Sequence, residues 1–243
     1  MGKESGKGKI ASRLVRRVLR FKPDPSHPIL PIDAQLRAWR KANRRMGWNI
    51  PKESFDRLSS APALSSEEQS QGYIGVILCH GFGGEGGTSS DPVLSGKLAW
   101  EYALKRRRGH IWQCEYADFN RPRDFRLRPK APPRPRGFYF AKFNPGKEFK
   151  NLPVAKLRKQ PHGATGLGPE GFQLLCITHP HLADFMNLRT FPFIALADYD
   201  IAPHGFDDFF ESPQLFCSQD ILGFGVGNVD GPYPLFAIPL IRF

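Results

Sequence analysis

The chain has 243 residues, 35 lysines and arginines against 23 aspartates and glutamates, and a formal net charge of +12. That length supports one large domain, or a domain with an appended arm, around a sizeable core, and no apolar run approaches the roughly 18 residues a membrane-spanning helix needs. Cys79, Cys114, Cys176 and Cys217 each stand alone in an apolar stretch with no CxxC among them, which argues against a zinc knuckle or a disulfide scaffold and points to free thiols in a reducing, intracellular compartment.

The positive charge is unevenly placed. Residues 1–50 carry 13 basic and 3 acidic side chains and residues 101–160 carry 17 and 5, whereas the remainder is net acidic. Two basic blocks in an otherwise acidic protein are a statement about partners.

In chain order, residues 1–9 are small and charged, and Ile10, Leu14, Val15, Val18 and Phe21 then recur at helical spacing between Arg13, Arg16, Arg17 and Arg20. Such a basic amphipathic helix suits packing on the protein itself, an anionic membrane surface (residues 10–21), nucleic acid, or an organelle import signal. Prolines at 23, 25, 28 and 31 end it. Asp33 is placed to cap a second helix, 34–46, closed by Gly47, with Arg37, Arg40, Lys41, Arg44 and Arg45 over much of its surface and a narrow stripe of Leu36, Trp39 and Met46. Residues 58–71, rich in Ser, Ala and Gln, read as a linker between this basic helical arm (1–57) and a main domain, 72–243.

Within that domain a strand at 73–79 leads to a helix from Pro92, capped by Asp91 and ending near Arg107 before Gly109, and then to a strand at 110–117. The alternation predicts a βαβ unit with a parallel pair. Residues 120–136 hold six arginines, one lysine and five prolines and suit an extended, polyproline-like surface insertion. Further strands are expected at 138–143, 172–178, 193–197, 214–217, 221–226 and 235–241, the last three as a closing meander, with helices at 154–159 and 180–189. The fold class is α+β, a mixed sheet containing one βαβ unit, with a basic helical N-terminal arm.

Three stretches carry chemical suggestions. In "VILCHGFGGEGG", Gly81, Gly83, Gly84 and Gly86 follow a strand, and G-x-G-x-x-G in that place resembles the Rossmann dinucleotide-binding fingerprint, with Asp118 or Glu115 as the carboxylate for a ribose. The fingerprint implies a nucleotide ligand, with Arg121 and Arg123 near a 2′-phosphate. The same stretch resembles the strand and oxyanion turn of α/β-hydrolases, although no G-x-S-x-G supplies a nucleophile. A third reading makes the loop purely structural, the glycines allowing close approach. A second G-x-G-x-x-G, at Gly166, Gly168 and Gly171, precedes the expected strand at 172–178 and reads as a turn.

"THPHLAD" resembles the strand-end motif of metallo-β-lactamase-like hydrolases; His179, His181, Asp198, Asp200 and His204 form a candidate cation set, with capping of helices and turns as the structural alternative. The strongest signal is electrostatic. Arg13, Arg16, Arg17, Arg20, Arg37, Arg40, Arg44, Arg45, Arg106, Arg107, Arg121, Arg123, Arg126, Arg128, Arg134 and Arg136 are the candidates for contact with nucleic acid or a ribonucleoprotein. The leading expectation is therefore a non-catalytic binding protein; a nucleotide-binding protein and a hydrolase follow.

Overall fold

The computed structural model describes residues 28–58, 61–83, 89–159, 164–186, 191–202, 208–232 and 235–243. The basic helix expected at 10–21, with Arg13, Arg16, Arg17 and Arg20, lies outside them. The architecture is α+β: one four-stranded sheet, one larger mixed sheet, and helices packed against them.

Helix α1, Ile32–Met46, starts with Pro31 at the N-cap, so Asp33 lies in the first turn instead of capping it. It closes as expected at Gly47, whose left-handed φ of 69° lets its N–H reach the Asn43 carbonyl at 2.8 Å. Its apolar stripe is deeply used: Trp39 and Ala42 are fully buried in the principal core, together with Phe55 of α2, Lys52–Asp56. This stretch is built into the core and does not project as an arm. The expected linker contains a further turn of helix, α3, Ser66–Ser70, opened by a reciprocal capping box between Ser65 and Glu68.

Strand β1, Gly75–Gly81, pairs antiparallel along its whole length with β4, Gly137–Asn144. Helix α4, Pro92–Arg107, follows β1 as expected, with Asp91 Oδ1 accepting the Leu94 N–H at 3.0 Å and the chain reversing through Arg108 and Gly109. The next strand, β2, is only Ile111–Gln113, and it pairs in parallel with β9, Ile221–Asn228, in the other sheet. The two strands flanking α4 thus belong to different sheets and do not form the parallel pair of a βαβ unit. The reason is visible at β1's free edge. Gln35 donates to the Val76 carbonyl (2.9 Å) and accepts from the Leu78 N–H (2.7 Å), Trp39 Nε1 donates to the Leu78 carbonyl (2.9 Å), and Gln173 takes both backbone groups of His80. Side chains from two helices occupy the positions a neighbouring strand would fill.

The Arg/Pro-rich insertion is only partly an extended surface segment. Pro122–Asp124 forms a 3-10 turn, and β3, Phe125–Leu127, pairs antiparallel with β7, Tyr199–Ile201. Asp124, Phe125 and Arg134 are buried. Helix α5, Val154–Leu157, agrees with expectation.

After β5, Thr165–Gly166, comes the largest departure. The expected strand at 172–178 is helix α6, Pro169–Gln173, continuing into a π-helical turn, Leu174–Thr178, closed by the His179 N–H on the Leu174 carbonyl at 2.7 Å. The second glycine motif therefore runs from β5 into this helix, with Gly168 at its N-cap and Gly171 inside it. This helix is buried on all sides, and an apolar run without a polar face shows the same periodicity whether it is strand or helix. The expected 180–189 helix is a single turn, α7, Leu182–Phe185.

In the larger sheet, β6, Phe193–Ala195, and β7 pair with β8, Glu211–Ser218, along the edge opposite β9. A tight hairpin joins β8 to β9 through Gln219 and Asp220, both at positive φ. The last apolar stretch divides instead of completing a meander. Strand β10, Phe236–Ala237, pairs in parallel with β6, whereas β11, Leu240–Arg242, enters the other sheet between β4 and β5. Among the described residues no helix is long and apolar enough to cross a membrane.

Candidate functional site

The glycine loop begins under tight constraint. A Cβ on Gly81 would lie 1.9 Å from the Pro135 carbonyl oxygen, so glycine is required there by the approach of the neighbouring backbone. Phe82 donates to Ser95 Oγ (3.0 Å) and accepts from the Asp91 N–H (2.8 Å), which ties the loop's start to its end, and a Cβ on Gly83 would meet the Arg136 side chain. Gly84 and Gly86 lie outside the described residues. The dinucleotide turn needs a parallel strand after the helix and a helix N-terminus open to a pyrophosphate. Here β1 is antiparallel to its partner, and the Asp91 carboxylate occupies the first turn of α4. Asp118 accepts the Asn120 N–H (2.9 Å) within its own turn and lies on no strand. The α/β-hydrolase turn likewise meets an antiparallel neighbour.

The cation set is not brought together. His179 Nε2 accepts the Leu30 N–H (2.9 Å), so in the neutral ring Nδ1 carries the proton and donates it to Thr178 Oγ1 (2.7 Å). His181 Nε2 donates to the Pro28 carbonyl (3.0 Å). Both rings hold the backbone of residues 28–30. Burial pushes the pKa of His179 well below its ordinary value, with His181 adding to the effect, and burial lowers that of His181. Asp198 and Asp200 belong to a separate ionic network with Arg126, Arg128, Arg134 and Arg158. His204 lies outside the described residues, and among those described no three His, Cys, Asp or Glu side chains form a metal-sized group.

The arginines sort into three groups. Arg134 is inside the protein, 1% exposed, where Nε meets Glu170 Oε1 (2.8 Å) and Nη2 meets Asp198 Oδ2 (2.9 Å), so it cannot reach an external ligand. Arg128 and Arg126 pair with Asp198 (3.3 Å) and Asp200 (3.4 Å), and Arg126 also lies 3.7 Å over the Phe209 ring. Arg40 pairs with Asp56 at 3.2 Å. These side chains are engaged in holding the fold. Arg121, Arg123 and Arg44 are exposed, as is Arg136 beside the glycine loop.

The third group converges. The C-terminal ends of α1 and α4 meet: Arg45 donates to the Lys105 carbonyl (3.4 Å) and Lys105 to the Arg45 carbonyl (3.2 Å). Helix dipoles favour cations at these ends, which accounts for Arg44, Arg45, Lys105, Arg106 and Arg107. It does not account for Arg37 and Lys41, which stand two turns and one turn back along α1. Arg37, Lys41 and Arg106 together line a cleft of about 140 Å3, its remaining wall made largely by Leu30, Ala34 and Ile177. Among the described residues no ion pair engages any of the three. Burial and the charges of Arg106 and Arg45 hold the Lys41 ammonium below its ordinary pKa, and burial, with Arg107 and Arg45 pushing the same way against Tyr102, lowers Arg106. The cleft is thus a concentration of like charge without a counter-ion among the described residues.

Sequence reasoning identified Arg37 and Arg106 singly. Lys41 was legible as part of an i, i+4, i+8 row with Arg37 and Arg45, but the approach of α4 to that row was not. A larger cleft of about 400 Å3, between Tyr73, Glu148 and Arg242, is internally compensated: Asn144 donates to Glu148 (2.7 Å), and Arg242 reaches Gln71 (3.4 Å) and Glu68 (3.9 Å). Compared with protein-family models, curated proteins and solved structures, the chain matches none.

Proposed function

We propose that this protein is a non-catalytic binder of phosphate-bearing polyanions, a nucleic acid in its free or ribonucleoprotein form, and that the contact surface is α1 together with the C-terminal end of α4. The observation that carries this reading is the convergence of Arg37, Lys41 and Arg106 in one cleft without a carboxylate among the described residues. Where this protein needs a cation for its own stability it supplies a partner, as at Arg134, Arg128 and Arg158. Cations left together uncompensated raise the folded state's energy, and an external anion removes that cost. The exposed Arg44 and Arg108 extend the field beyond the cleft.

Binding of this kind is electrostatic and sequence-tolerant, so its signature is salt dependence. Fluorescence anisotropy with a labelled single-stranded RNA between about 50 and 200 mM salt should give a steep decline in affinity. The triple variant Arg37→Gln/Arg44→Gln/Arg108→Gln should bind more weakly and show a slope smaller by roughly 2 if those three contacts are made. A slope and affinity equal to those of the unaltered protein would remove this surface from the binding reaction.

A further inference from the structure

The shape of the cleft says more than that the surface is basic. We propose that the cleft between α1 and α4 is a pocket for a terminal phosphate, a phosphomonoester dianion, and that it engages the phosphorylated end of a chain in preference to its internal phosphodiesters. The inference rests in part on the polyanion-binding reading, whose failure the experiment below separates from its own.

Size sets the first limit. At about 140 Å3 the cleft is well under the roughly 300 Å3 at which pockets begin to enclose a drug-sized ligand. A phosphoryl group fits that volume, whereas a nucleoside does not. Any base or sugar attached to the phosphate must remain outside, which is the geometry of an end being captured.

Charge sets the second. Three cations face one space, with Lys41 and Arg106 part-buried and Arg37 exposed at the rim. A phosphodiester brings one negative charge and neutralises one of them. A monoester brings close to two at neutral pH, because its second pKa lies near 6, and compensates the cluster more fully. The apolar wall of Leu30, Ala34 and Ile177 excludes water from one side and strengthens each charge-assisted contact relative to the open surface.

Residue type sets the third. The planar forks of Arg37 and Arg106 suit bidentate contacts to phosphate oxygens, and Lys41 adds a compact charge with rotatable donors. The neighbouring Arg107 is directed elsewhere, donating to the Pro180 carbonyl at 3.3 Å and acting on Asp184. Among the described residues, the side chains that share the cleft without an ion pair are therefore Arg37, Lys41 and Arg106.

The test uses the full chain and two RNA oligonucleotides identical except for a 5′-phosphate or a 5′-hydroxyl. A preference of roughly tenfold or more for the phosphorylated end is expected, the scale of one strong charge-assisted contact. Lys41→Gln and, separately, Arg106→Gln should abolish that preference, lowering the affinity for the 5′-phosphorylated RNA by roughly tenfold more than that for the 5′-hydroxyl RNA. Inorganic phosphate should raise the melting temperature of the unaltered protein more than chloride does at matched ionic strength and neutral pH, with the effect lost in Lys41→Gln. Since the Lys41 side chain makes no hydrogen bond or ion pair among the described residues, this variant keeps the test valid if Arg106→Gln unfolds.

Equal binding of the two RNAs with a normal salt slope would overturn the pocket and leave the polyanion reading standing. Phosphate stabilisation that depends on Lys41 in a protein binding neither RNA would support the pocket, identify a small phosphate compound as its source, and overturn the polyanion reading. Absence of both effects would overturn both.

Discussion

Arg134 stands in the run A-P-P-R-P-R and looks, in the sequence, like its neighbours. In the fold it joins Glu170 and Asp198 in the interior, donates also to the Gly166 and Pro132 carbonyls, and shares Glu170 with the Tyr139 hydroxyl. Burial opposes its charge, but Glu170 and Asp198 together outweigh that and hold its pKa above the ordinary value. Removing the cation would leave Glu170 buried without a counter-charge and Asp198 with Arg128 alone, so Arg134→Met is expected to cost about 3–5 kcal/mol in urea unfolding. Replacement of the exposed Arg123 by Gln should change stability by no more than about 0.5 kcal/mol. The distinction was not legible because Glu170 and Asp198 lie 36 and 64 residues away in the chain. Composition reports how many arginines there are; only tertiary pairing reports which of them face outward.

At the scale of elements, legibility followed how local the signal was. Helix α4 was readable from Asp91, Pro92 and Gly109 because caps act within one turn, and Asp91→Ala should cost about 1 kcal/mol by thermal or urea unfolding. The 169–178 helix was misread because its environment is apolar all round, and its helical state depends on α1 and α4 packing beside it. The βαβ expectation failed for a related reason, since the edge of β1 is satisfied by Gln35, Trp39 and Gln173, side chains remote in sequence. That edge gives a specific expectation. Gln35→Leu keeps the side chain's approximate volume but strips the Leu78 N–H and the Val76 carbonyl of their partner, which should cost about 1–3 kcal/mol. Amide exchange at Leu78 should rise while exchange at Ala141, on the paired strand, changes less.

For the molecule as a whole, acid stability follows from three buried histidines. Burial lowers His80 from 6.5 to about 4, and His179 and His181 are shifted the same way. Between the lowered folded value and the ordinary one, the unfolded chain binds a proton that the folded protein refuses. Stability is therefore complete above about pH 6.5 and declines as the pH falls, with His80 alone accounting for about 3 kcal/mol once its folded value is passed. Urea midpoints at pH 7.5, 6 and 5 should fall in that order, and His80→Phe, filling the ring cluster of Trp39, Phe82 and Phe138 without a titrating group, should flatten the decline. An unchanged pH profile in that variant would assign the acid sensitivity elsewhere. The basic blocks behind the proposed function were legible from charge counts, whereas the cleft itself required two helices far apart in sequence to be set side by side.

The closing segment has a consequence for how the protein comes apart. Within a few residues it gives β10 to the larger sheet and β11 to the smaller one, where β11 lies between two other strands. Neither sheet can melt while the other remains whole without drawing a strand out of its neighbour. Heating should therefore produce a single calorimetric transition whose enthalpy equals the van't Hoff value, despite the division of the strands into two sheets. A deletion that removes β11 should abolish that cooperativity as a unit, and not merely trim the smaller sheet.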